Sequence, residues 1–216
     1  MNIDYNRAYM KLLLTSAGFQ IKDEILKILP KPPKQLKLAY ILDATKPIKN
    51  TNYADDNKNK MLELGFQVED IYLAGETSDE IRKQLKDKDI IYVQGGQPFY
   101  LLKQAQKSGF FNVVKELLPK GVIYIGVSAG TYLACPTIEP AFWKKKKRST
   151  FGLENFSAMN LVPFLIFAHY KPQHKKLVQE ALKYCKYPVK ILTDDQALLI
   201  TGDKVELVGI GPEIIL

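Results

Sequence analysis

The sequence predicts an α/β protein built on a three-layer, doubly wound, mostly parallel sheet. Short apolar runs of strand length alternate with segments whose apolar residues recur at helical spacing. Glycine and proline separate these segments, and this alternation is typical of parallel strands joined by helices. The 216 residues are enough to bury one full core. We therefore expect a single domain over residues 10–216, preceded by a peripheral extension at residues 1–9.

The first strand and helix follow this extension. The apolar residues of segment 11–16 predict a buried strand that ends at Ala17-Gly18. Four aliphatic residues between positions 21 and 29 then fall on one helical face. The proline-rich segment 30–33 ends that helix, because proline lacks an amide hydrogen and restricts the residue before it.

Four more strands are predicted at residues 36–42, 67–73, 89–93 and 122–127. Helices are predicted between them at residues 55–64, 77–86, 98–109 and 111–118. Thr77 and Glu80 have the spacing of a capping box, and Pro98 occupies a favoured first helical position. Beyond the fifth strand, residues 161–167 are apolar, residues 172–184 are helical in pattern, and residues 190–210 predict a β meander.

Charge and composition exclude several classes of protein. The net charge of +8 is the excess of 31 Lys and Arg residues over 23 Asp and Glu residues. Three of the 31 cations are arginine, so nucleic-acid binding is not favoured. The lysine-rich run at residues 144–148 is interpreted as a solvated loop, with a patch for acidic ligands or for nucleic acid as the alternatives. The longest apolar run, residues 161–168, is shorter than the ~20 residues of a membrane helix. Without a leader-like start, and with Cys135 and Cys185 expected to be reduced, the chain is predicted to be cytoplasmic.

A nucleophile is predicted at the end of the fifth strand. Residues 126–130 read Gly-Val-Ser-Ala-Gly and lie between a strand and a helix. In this arrangement a tight turn projects the serine hydroxyl above the sheet edge, and small neighbours leave room for the turn. Ser128 is therefore a candidate nucleophile. The amide of Ala129 is a candidate oxyanion donor.

A serine nucleophile needs a base, and the chain has two histidines. His169 follows an apolar strand at its exit, where α/β proteins place their sites, whereas His174 begins a helix and is expected to face solvent. The two are not at metal-ligand spacing and no cluster of Cys, His and Glu accompanies them, so neither a metal nor a cofactor is predicted.

The order of Gly95-Gly96, the Gly-Val-Ser-Ala-Gly motif and residues 161–170 resembles the peptidase E (aspartyl dipeptidase) family, which has the class I glutamine amidotransferase-like, flavodoxin-like fold. The similarity extends over nearly the whole chain, from residue 10 to Asp194-Asp195-Gln196-Ala197-Leu198. It implies Ser128 as nucleophile and His169 as base. It also implies an oxyanion hole from the amides of Gly96 and Ala129, and substrate binding by Gly95 and Gln97.

The resemblance further implies a serine peptidase that cleaves dipeptides or short peptides through an acyl-enzyme, with N-terminal aspartate as a candidate preference. Three positions depart from the family pattern. Gln97 replaces asparagine, Ala168 replaces proline, and the loop expected to carry the triad acid reads Trp143-Lys144-Lys145-Lys146.

Three alternatives remain for the missing acid. Glu139, whose backbone is expected to be extended before Pro140, is preferred; Glu154 is a second candidate. In the third alternative no acid exists, and a backbone carbonyl or water orients His169. The lost acid also motivates a different function, a catalytically degenerate binding protein on the same scaffold, and nucleic-acid binding through the basic surface is a third. Small peptides are the expected partners, and homo-oligomer formation is left open.

Overall fold

The computed structural model describes residues 10–144 and 149–216, so the predicted extension at residues 1–9 lies outside the described residues. Its core is a seven-stranded sheet in the order β3-β2-β4-β5-β1-β8-β9. The strands of this sheet are β1 (Lys11–Thr15), β2 (Lys37–Ile41), β3 (Gln67–Ile71), β4 (Ile90–Val93), β5 (Ile123–Val127), β8 (Gln196–Thr201) and β9 (Lys204–Gly209). The first five strands run parallel, and β8 and β9 add an antiparallel hairpin at the edge of β1.

Helices cover both faces of the sheet, as the alternating pattern predicts. They are α1 (Lys22–Lys27), α2 (Asn52–Glu63), α3 (Ser78–Leu85), α4 (Pro98–Lys107), α5 (Phe110–Leu117), α6 (Ala129–Ala134), α7 (Pro140–Trp143) and α8 (Lys175–Leu182). Helices α1 and α2 pack on one face, and α3 to α6 pack on the other. Strand β1 shows why: Leu12 and Leu14 join one core and Leu13 joins the other, because successive side chains of a strand point to opposite faces. The three-layer α/β prediction is confirmed.

The prediction for the C-terminal third was wrong in one respect. Segment 190–192 was expected to begin a meander, but β7 (Val189–Ile191) pairs with β6 (Leu165–Phe167) in a separate two-stranded sheet. The two strands are parallel and α8 lies between them in sequence. A parallel pair needs such a crossover connection, whereas a meander needs only turns. The hairpin of β8 and β9 is the part of the predicted meander that forms.

This topology brings several strand exits to one edge of the main sheet. Thr15 of β1 pairs with Val127 of β5, and Val93 of β4 pairs with Gly126. The carboxyl ends of these parallel strands therefore lie side by side, which is where open α/β sheets place their sites. Within the described residues, no helix is long and apolar enough to cross a membrane.

Candidate active site

Ser128 occupies a strained turn between β5 and α6. Its φ and ψ of 48° and −100° are rare for a residue with a side chain. The Ser128 amide donates to the Thr15 carbonyl oxygen at 3.0 Å, which ties the turn to the end of β1. The predicted strand-turn-helix context of the motif is present, and it holds the hydroxyl above the sheet edge.

The flanking glycines are needed because the turn leaves no room for side chains. A Cβ atom on Gly126 would lie 2.8 Å from the carbonyl carbon of Gly130. A Cβ atom on Gly130 would overlap the Val93 carbonyl oxygen in the central strand β4. Both obstacles are backbone atoms, which cannot rotate away. The spacing of the motif therefore reflects the close approach of β4, β5 and α6.

His169 connects the serine to a carboxylate. Its Nε2 atom lies 2.9 Å from Ser128 Oγ, and its Nδ1 atom lies 2.5 Å from Asp194 Oδ1. An ionised Asp194 accepts a hydrogen bond from Nδ1–H, so Nε2 is unprotonated and can accept the hydroxyl proton of Ser128. The two predicted residues, Ser128 and His169, are thus brought together, with a carboxylate directly behind the imidazole.

Asp194 is held in its ionised form. Burial raises the pKa of this carboxyl, but the hydrogen bond and charge of His169, the hydroxyl of Ser16 and the charge of Lys144 outweigh burial and lower it below its usual value of 3.8. Ser16 donates to Asp194 Oδ1 at 3.0 Å. The carboxylate is therefore charged throughout the neutral pH range, as an acceptor for Nδ1–H must be.

The preference for Glu139 as the acid was wrong, because the carboxylate on Nδ1 belongs to Asp194. Glu139 immediately precedes α7 and has a helical backbone (φ −48°, ψ −42°), not the extended one expected, and its charge contributes to raising the pKa of the Cys185 thiol. Glu154 is exposed, as expected, and lies just after the turn at residues 151 and 152. Sequence reasoning missed Asp194 although a signal was present: the acid lies two residues after the predicted strand segment at residues 190–192.

The proposed oxyanion donors, Gly96 and Ala129, lie on the two turns that flank the site. Gly96 has a φ of 148°, and a Cβ atom there would overlap the Ala44 carbonyl oxygen. In the described part of the chain, neither amide donates a hydrogen bond. Gly95 packs against the elbow, since its Cβ would lie 3.1 Å from Ser128 Cβ, and its carbonyl oxygen accepts from Tyr53 at 3.2 Å.

The assignment of Gln97 to substrate binding is not supported, because its side chain caps α4. Its Oε1 atom accepts from the amides of Phe99 at 2.7 Å and Tyr100 at 2.9 Å. Its Nε2 atom donates to the Ser149 carbonyl oxygen at 3.2 Å. The first backbone N–H groups of a helix have no hydrogen-bond acceptor within the helix, so the side-chain oxygen of the residue preceding Pro98 accepts from them.

Ser128 and His169 open onto a cavity of about 500 Å³. The other polar side chains that line it are Ser16, Tyr53, Asn57, Gln94, Tyr132 and Lys144, and the rest of the lining is largely apolar. Among the described residues, no group of three or more His, Cys, Asp or Glu side chains could hold a metal ion. His174 lies outside the cavity and is half-buried rather than solvent-facing, because its ring packs on Phe167 and Tyr170.

An α/β sheet with a serine at a strand-helix turn, hydrogen-bonded to a histidine that a carboxylate orients, defines the class of serine hydrolases. Similarity to known proteins narrows this class to one peptidase family. The model of peptidase family S51 matches residues 12–208, and the chain belongs to this family. The predicted peptidase E resemblance and the prediction of a serine peptidase are confirmed.

Individual relatives agree with this assignment. The chain is 33% identical over 161 residues to an uncharacterized peptidase of Listeria monocytogenes, covering 72% of this chain and 77% of that one. It is 28% identical to peptidase E of a Nostoc species, over 70% of this chain and 59% of the relative. The crystal structure of a candidate peptidase E protein from Listeria monocytogenes EGD-e superposes with a TM-score of 0.83 at 27% identity, covering 94% of this chain and 99% of the other.

Proposed function

We propose that the protein hydrolyses dipeptides or short peptides through an acyl-enzyme formed on Ser128. The observation that carries this proposal is the continuous hydrogen-bonded chain from Ser128 Oγ through His169 to Asp194. Each atom in that chain has the partner that its role requires. The hypothesis of a catalytically degenerate protein was based on the apparent loss of the triad acid. Asp194 supplies that carboxylate, so this argument for the hypothesis no longer applies.

In the proposed reaction, Ser128 Oγ attacks the peptide carbonyl carbon while its proton moves to His169 Nε2. Asp194 stabilises the imidazolium without accepting the proton. The amides of Gly96 and Ala129 would stabilise the oxyanion. The C–N bond then breaks, and the Nε2 proton leaves with the amine. Water next attacks the ester, gives one proton to Nε2, and the Ser128 hydroxyl is restored as the acid product departs.

The size and charge of the cavity support small substrates. About 500 Å³ accommodates a ligand of small-molecule size rather than a long peptide. Among the described residues that line the cavity, Lys144 carries a positive charge and none is acidic. This polarity supports the expected preference for an N-terminal aspartate over a neutral residue. A cytoplasmic location is also proposed, supported by two free cysteines, which suit a reducing compartment.

A dipeptide library tests the proposed function. Wild-type protein should release amino acids from a subset of dipeptides, whereas Ser128→Ala and His169→Ala should each lose at least about 10⁴-fold in kcat, because residues of a triad act as a unit. His174→Ala is the matched control and should retain wild-type turnover, since this histidine does not line the cavity. Turnover by Ser128→Ala at the wild-type rate would overturn the proposal.

A further inference from the structure

His169 has a backbone conformation that needs external support. Its φ is 56°, a left-handed value that costs an L-residue conformational energy. Such a residue persists where surrounding groups fix it. The imidazole direction depends on this backbone, because a change to an ordinary negative φ would swing the ring away from Ser128. The groups that hold the His169 peptide are therefore relevant to the reaction.

Ser16 holds the amide side of His169. Its side chain is fully buried at the exit of β1. The His169 amide donates to Ser16 Oγ at 2.7 Å, and the same hydroxyl donates to Asp194 Oδ1 at 3.0 Å. One hydroxyl thus connects the loop after β6, which carries the histidine, to the loop after β7, which carries the acid. Its distance to His169 Nδ1 is 3.4 Å, longer than either of these two bonds.

Lys144 holds the carbonyl side. Its Nζ atom donates to the carbonyl oxygens of Ala168 at 2.8 Å and His169 at 3.0 Å, and it lies 4.7 Å from the ring centre of Phe167. The interpretation of the lysine run as a solvated loop is therefore wrong for Lys144, which is half-buried against the site. The remaining residues of the run, 145–148, lie outside the described residues.

We propose that Ser16 and Lys144 are positioning residues that together fix the His169 peptide and so align its imidazole between Ser128 and Asp194. This proposal rests on the proposed function, since it assigns these residues to the same reaction. Neither residue is required to exchange a proton with substrate. Small misplacements of a reacting group cost large factors in rate, so loss of either contact should lower kcat more than it changes KM.

The chain offers matched controls for both residues. Lys103 also donates from Nζ to a carbonyl oxygen, that of Phe151 at 2.6 Å, and Phe151 has a φ of 55°. Neither of these residues lines the cavity. Ser108 is a buried serine whose hydroxyl has no hydrogen-bond partner in the described part of the chain. Lys103→Met and Ser108→Ala therefore repeat the chemical changes without touching His169.

The kinetic test compares Ser16→Ala and Lys144→Met with these controls. With an Asn-initiated dipeptide, Ser16→Ala and Lys144→Met should each lose on the order of 10²-fold in kcat with KM within about threefold of wild type. Lys144→Arg should recover most of the loss, because a guanidinium can still donate to the two carbonyls. The controls should keep wild-type kcat. Assays with paired Asp- and Asn-initiated dipeptides distinguish the positioning of His169 by Lys144 from the binding of an acidic substrate by Lys144. A Lys144→Met loss confined to KM of acidic substrates would overturn its positioning role.

An activity-independent measurement keeps the proposal testable if no peptide is turned over. In a His174→Gln background, His169 is the remaining histidine, and its Nδ1 proton, bound to Asp194, should give a single downfield proton NMR signal. This signal should broaden or disappear in Ser16→Ala and Lys144→Met, yet persist in Lys103→Met and Ser108→Ala. Thermal melting identifies any variant that fails to fold, and Lys144→Gln then replaces it as a milder change. Unchanged kcat together with an unchanged NMR signal in both Ser16→Ala and Lys144→Met would overturn the proposal.

Discussion

Replacing Asp194 with asparagine tests how the site assigns its protons. Asp194 Oδ1 accepts bonds from His169 Nδ1 at 2.5 Å and from Ser16 at 3.0 Å. In Asp194→Asn, the amide nitrogen can donate to Nδ1. The imidazole proton would then sit on Nε2, which could no longer accept the proton of Ser128. The fold should survive, because the carboxyl group is on the surface side of the site, with about a third of its side chain exposed.

The expected loss is large because both the orientation and the charge disappear. An orienting carboxylate is worth on the order of 10⁴ in kcat, which corresponds to about 5.5 kcal/mol of transition-state stabilisation. KM should change little, since Asp194 does not line the cavity. Steady-state hydrolysis of the best dipeptide from the library measures both constants.

Two matched variants make the result specific. Asp195→Asn changes the adjacent, exposed carboxylate, and Glu139→Gln changes the acid that the sequence favoured. Both should retain kcat within about twofold, because surface changes away from a site are usually near neutral. The reasoning would be refuted if Asp194→Asn kept wild-type turnover, or if Glu139→Gln lost as much as Asp194→Asn.

Three further outcomes are expected. Gly130→Ala should destabilise the fold by about 3 kcal/mol in urea unfolding, because its Cβ would overlap a backbone oxygen of β4; an unchanged midpoint would contradict this. A thiol reagent should label half-exposed Cys185 before Cys135, since burial raises the pKa of the Cys135 thiol to about 12; equal rates by mass spectrometry would contradict it. His169→Gln should raise the pKa of Asp194, measured by carboxyl carbon NMR, because the effect of burial is then no longer offset by the hydrogen bond and charge of His169. In wild type the lowered pKa of Asp194 means that its ionised form stabilises the fold at pH values above 3.8, the usual pKa of this group. This stabilisation is lost as the pH falls through the pKa of Asp194 in the folded protein.

The parts of the site that the sequence predicts are those that depend on local chain geometry. Ser128 directly follows the strand predicted at residues 122–127, so the turn that carries it could be predicted without tertiary information. His169 was found because the chain has two histidines and one of them leaves an apolar strand. The capping box at Thr77 formed for the same local reason: both of its hydrogen bonds join residues three positions apart.

The acid was missed because its position depends on strand pairing. Asp194 follows β7, which the sequence analysis assigned to a meander over residues 190–210. Once β7 pairs in parallel with β6, the loops that follow the two strands leave from the same end, and His169 meets Asp194 across them. The pairing of β7 with β6, which the sequence analysis did not predict, is therefore also what places Asp194 beside His169. The side chain of Gln97, in contrast, is held by a local contact, because it caps α4.

The most direct test of the serine peptidase site is labelling with a fluorophosphonate, followed by mass spectrometry of the modified peptide. The reagent phosphonylates a serine whose hydroxyl is activated by a base, without requiring knowledge of the substrate. We expect a single adduct on Ser128 in wild type, strongly slowed labelling in His169→Ala and Asp194→Asn, and none at this position in Ser128→Ala. An adduct on another serine, or wild-type labelling of Ser128 in His169→Ala, would contradict the account.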